Sequence, residues 1–135
     1  MNDYELLLSE FEKELTFKFD NNMPDGLPAI IIGKIVHINP NVPYQEAITY
    51  LAEEIGHHKT LADGIDITDQ SVLFNRKLEL KGREWGYRKL VPREQLLEYL
   101  SKRDTVFPYE LADEFNLPVK YINEVVDHYR IKGII

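Results

Sequence analysis

The residues best equipped for chemistry in this sequence are Glu53, Glu54 and His57, within the run Glu53-Glu54-Ile55-Gly56-His57. On a helix, positions four apart project from one side, so Glu53 and His57 could bind one metal ion together. Glu54, next after the first donor, would then be placed to take a proton from water as a general base. This is the spacing of the HExxH metal-hydrolase motif with Glu in place of its first His. Acidic helices also carry such clusters as solvated i, i+4 pairs, so spacing alone leaves both readings open. A second register is open too: if His58 were the donor, Glu54 would be its partner and Glu53 would lose its role.

The surrounding pattern supplies elements to hold these groups. Asn39-Pro40-Asn41-Val42-Pro43 punctuates the chain, with Asn39 or Asn41 available as a cap and Pro43 suited to a first helical turn. A helix from Tyr44 to His58 follows, lined on one face by Ile48, Leu51, Ala52 and Ile55. Upstream, Tyr4 to Leu15 reads as an amphipathic helix, Leu15 to Asp20 as a short half-exposed strand, and Asn21 to Pro28 as a loop. Ala29 to Ile38 is rich in β-branched residues around Gly33-Lys34, which predicts a hairpin extending a small antiparallel sheet. Lys59 to Gln70 reads as a loop that could cover a pocket. Helices are predicted over Val72 to Lys89, Arg93 to Leu100, Tyr109 to Phe115 and Val119 to Tyr129.

Composition narrows the chemistry. The sequence has 135 residues, 44% of them hydrophobic, enough for one compact domain. There is no cysteine, so His and carboxylates are the only strong metal donors, and a cytoplasmic location fits. A net charge of -7 does not favour nucleic acid or an anionic membrane surface as partner. The acidic N-terminus is unlike a signal peptide, and no apolar run is long enough to span a bilayer.

The stretch Leu51-Ala52-Glu53-Glu54-Ile55-Gly56-His57-His58 is followed by Glu79-Leu80-Lys81-Gly82-Arg83-Glu84-Trp85-Gly86-Tyr87-Arg88-Lys89-Leu90-Val91-Pro92. Together these resemble the ImmA/IrrE family of metallo-endopeptidases from phages and mobile elements. That family shows HELGH and then a helix of the form ExxAxxFAxxLLxP. Glu79, Gly82, Trp85, Gly86, Leu90 and Pro92 stand at corresponding places, with Gly for Ala and Trp for Phe, and the Gly56 match sets the register on His57.

The resemblance implies an α+β fold with a zincin-like core: a small antiparallel sheet packed on metal-site helices, then a helical subdomain. The core would cover residues 1–92 and the helical part 93–135. It implies Glu53, His57 and Glu79 as metal ligands and Glu54 as the base. The ion would be divalent, zinc first; manganese comes second because two carboxylates and one imidazole form a harder, more negative donor set than two imidazoles and one carboxylate, which tilts the preference toward harder ions. The expected activity is cleavage of a repressor-type transcription regulator so that silenced genes are expressed. The alternatives are a non-catalytic member that binds such a protein, and a DNA-binding protein.

The last alternative comes from Tyr109 to Val126, which resembles a helix-turn-helix, with Ala112 in its first helix and Val119 and Ile122 packing its second. From Glu110 to Lys132 it carries five acidic and three basic residues, a poor balance for phosphate contact, so a structural role is expected first. Trp85 is expected to fill the core beside the site rather than stack on substrate. Arg76, Lys77, Lys81, Arg83, Arg88 and Lys89 make their helix locally basic, which reads as a solvated face or a surface for an acidic partner. His37 and His128 are expected to be surface or packing residues.

Overall fold

Tyr4, Leu7 and Phe11 recur at helical spacing and are the buried residues of helix α1 (Asp3–Phe11). The helix ends four residues before the expected Leu15. Leu15 is still buried, but its amide closes a turn on the Phe11 carbonyl at 2.9 Å, and Thr16 already donates to the Lys34 carbonyl of the sheet. The computed structural model describes residues 3–61, 69 and 71–135. The chain forms an α+β fold in two compact units, Met1–Gly86 and Tyr87–Ile135.

The sheet of the first unit has strands β1 (Thr16–Phe19), β2 (Ala29–Ile32) and β3 (Ile35–Ile38) in the order β1-β3-β2. Gly33 takes φ 64°, which the first central position of a primed hairpin turn requires, and β2 pairs with β3 antiparallel as expected. β1 pairs with β3 parallel, so the sheet is mixed where an antiparallel one was predicted. The reason is directional: β2 runs against β1 after the loop over 20–28, and the hairpin then returns β3 between them. Val36 and Ile38 of the central strand are almost wholly buried, on the face that packs on the next helix.

That helix, α2 (Tyr44–Thr60), buries Ile48, Leu51, Ala52 and Ile55 as the periodicity predicts. Its start differs from the capping expectation. Pro43 occupies the cap position with φ -54° and ψ 139°, and no side chain caps the helix. Asn39 is buried instead between two loops, accepting from the Asn41 amide at 3.0 Å and donating to the Leu27 carbonyl at 3.2 Å. α2 also continues past His58: Thr60 donates to the Gly56 carbonyl, and Lys59 pairs with Glu14 at 2.8 Å over the Phe11 ring. Helix α3 (Leu73–Leu90) follows. The loop expected over Lys59 to Gln70 falls largely on residues 62–68 and 70, outside the described residues.

The second unit holds the end of α3, then α4 (Arg93–Ser101), α5 (Pro108–Phe115) and α6 (Val119–Ile131). α5 and α6 meet through Asn116, whose left-handed φ of 54° Asn tolerates better than most residues. Leu111, Ala112, Leu117, Ile122, Val125 and Tyr129 are buried. Val119, expected to pack, is 43% exposed: Pro118 caps α6, so Val119 opens the helix, and Leu117 in the turn is buried instead. The Tyr129 hydroxyl donates to the Val91 carbonyl at 2.7 Å, and burial pushes its phenol up to about 12. His128 lies in the same aromatic cluster, 5.3 Å from the Tyr87 ring. Among the described residues no helix is long and apolar enough to cross a membrane.

Candidate metal centre

Two glycines determine how closely α2 and α3 approach inside the first unit. A β-carbon on Gly56 would collide with the Gly82 carbonyl, and one on Gly82 would collide with the His57 imidazole. One turn further along, Gly86 would place a β-carbon 3.4 Å from Ala52. The helices therefore touch backbone to backbone, a contact only glycine permits. Across this seam Glu53 and His57 of α2 face Glu79 of α3, and one donor atom from each lies within 4.8 Å of the others.

The imidazole of His57 is buried between three glutamates. Its Nδ1 lies 3.8 Å from Glu54 Oε2 and its Nε2 lies 3.6 Å from Glu79 Oε2. Burial works against its protonated form. The close Glu54 carboxylate and the negative charges of Glu79 and Glu53 outweigh that, so its pKa lies above the ordinary value. Nε2 is fully buried and has no hydrogen-bond partner among the described residues.

Glu53 is held above the ordinary carboxylate range, first by burial and then by its contact with Glu79, with Arg83 opposing both. Arg83 Nε donates to Glu53 Oε1 at 3.1 Å, and its Nη2 lies 3.5 Å from Glu79 Oε1. Glu54 accepts a hydrogen bond at 3.1 Å from the backbone amide of Ile31 in β2.

This donor set fits a divalent cation. A buried imidazole nitrogen without a partner points at two carboxylates whose mutual repulsion a cation would relieve. The donors are nitrogen and oxygen only, as suits zinc or manganese.

Glu53, Glu54, His57 and Glu79 are thus brought together. His58 is not among the donors that converge. Trp85 packs edge to face on Phe11 at 5.7 Å, a core contact. Two participants escaped the sequence reading. Arg83 counted as one of several surface cations, although its place four residues after Glu79 was a usable signal. Ile31 carried none, because its contact with Glu54 spans 23 residues.

Comparison with known proteins agrees with this architecture. The family profile of Peptidase_M78, the IrrE N-terminal-like domain, matches residues 7–126. No curated protein matches the chain. Among solved structures, a Mycobacterium tuberculosis transcriptional regulator shares the fold with a TM-score of 0.64 at 13% identity. The similarity covers 90% of this chain and 39% of that one, so the chain spans well under half of its structural neighbour.

Proposed function

This chain belongs to the Peptidase_M78 family, and from that premise we propose that it is a metal-dependent endopeptidase acting on a repressor-type transcription regulator, in a phage or mobile-element setting. The observation that carries the reading is the convergence of Glu53, His57 and Glu79, with Glu54 beside them. Glu53, His57 and Glu79 would hold a divalent ion, zinc first and manganese second. When bound, such an ion supplies Lewis acidity to a scissile carbonyl and makes water easier to deprotonate.

The protein's own part is proton handling and placement. Glu54 takes the proton of the attacking water and delivers it to the departing amine. The Ile31 amide fixes one Glu54 oxygen, which keeps the carboxylate from swinging away. His57, packed against Gly82, is confined in the orientation that presents Nε2 to Glu79. The structural neighbour's description as a transcriptional regulator supports a setting in gene control.

The Glu at position 53 favours a second reading, a non-catalytic member that binds the same kind of partner. Co-expression with a neighbouring repressor separates the two. Cleavage that disappears with Glu54→Gln supports the peptidase, whereas an intact repressor beside fully ion-loaded protein overturns it.

A further inference from the structure

The contacts of Arg83 differ from those of an ordinary helical ion pair. A solvated i, i+4 partner of Glu79 would stay on its own helix. Arg83 instead crosses the glycine seam, and its closer contact, 3.1 Å, is to Glu53 on α2, against 3.5 Å to Glu79. The Glu53 side chain is only 19% exposed, so its charge has little water to compensate it. Arg83 is permanently charged, and its planar fork can span two carboxylates. It also selects among oxygens: it engages Oε1 of Glu79, while Oε2 of the same carboxylate faces His57 Nε2.

We infer that Arg83 is the charge-balancing residue of this centre, cancelling one of the two negative charges that Glu53 and Glu79 bring to it. The inference rests on the reading of Glu53, His57 and Glu79 as a metal centre. With Arg83 counted, the donors present one net negative charge, the same as two neutral histidines and one glutamate. Glu53 together with Arg83 then stands in electrostatically for the first histidine of HExxH. A divalent ion held there keeps its electrophilic character, which three donors with two uncompensated charges would reduce.

The test is calorimetric titration of the metal-free protein with zinc and, separately, manganese at about pH 8, where free carboxylates are ionised. Wild type is compared with Arg83→Gln and Arg83→Lys. Arg83→Gln removes a cation next to two donors, so it binds both ions about tenfold more tightly. Arg83→Lys keeps the positive charge that the inference rests on, so its affinity stays within about threefold of wild type. Unchanged or weaker binding by Arg83→Gln, in a protein that otherwise takes up the ion, overturns this inference and leaves the metal centre standing. Failure of wild type and both variants to bind either ion overturns the metal centre, and this inference with it.

Discussion

The amide of Ile31 donates to the carboxylate of Glu54 at 3.1 Å, tying the strand β2 to the group proposed to move protons. Among the described residues β2 lies at one end of the strand order and pairs with β3 alone. Ile31 pairs with Val36 two residues from the Gly33-Lys34 turn, where the amide points away from β3 and is free for Glu54. Glu54→Gln keeps an oxygen for that amide but cannot accept the water proton. Peptide cleavage should fall at least about a hundredfold while ion affinity stays within a few-fold, read by gel assay and calorimetry. Full cleavage by Glu54→Gln would remove Glu54 from the mechanism.

Neither Gly56 nor Gly82 has room for a methyl group. Gly56→Ala meets backbone, which cannot swing aside, and Gly82→Ala meets the His57 ring. Each should lose about 1 to 3 kcal/mol of stability by overpacking, measured by denaturant unfolding. Gly82→Ala should also weaken ion binding, because the displaced ring is the donor.

Register is decided by separate histidine variants. His57→Ala should abolish measurable zinc uptake, while His58→Ala, outside the converging donors, should leave it unchanged. The reverse pattern would transfer the ligand role to His58 and free Glu53 of any.

The pH dependence of the metal-free protein follows from the raised pKa of His57. The folded state binds this proton more tightly than the unfolded chain, so the stabilisation is complete below the ordinary value of 6.5 and is lost as pH rises through the higher folded value. Glu53, also raised, acts in the same direction from its ordinary value of 4.5 upward. The stability difference between wild type and His57→Gln, from thermal unfolding in chelator, should therefore be greatest below pH 6.5 and shrink above it. A difference that grows with pH would contradict the contacts assigned to His57.

In the second unit, Tyr129→Phe removes the donor to the Val91 carbonyl and leaves that buried acceptor unpaired. A loss of about 1 to 3 kcal/mol is expected in chemical unfolding, with ion affinity unchanged.

Local periodicity made most of this structure legible. The apolar stripe of Ile48, Leu51, Ala52 and Ile55 placed α2 and, with it, the side on which Glu53 and His57 emerge. Ala112 and Ile122, buried as expected, likewise marked the last two helices. What depends on chain direction or distant pairing was hidden. Nothing within Thr16 to Phe19 says which way β3 will run beside it, and Pro43 reads equally well as a first helical residue or as a cap. Arg83 was visible as a charge, but its reach to Glu53 becomes apparent only once two glycines bring the helices together.

The same seam has a mechanical meaning. Side chains between two helices can change rotamer and let one helix slip on the other, but at Gly56 the contact is the Gly82 backbone itself, which cannot rearrange. The backbones that carry His57 and Glu79 can thus move apart by lifting α3 off α2, but not by sliding along it.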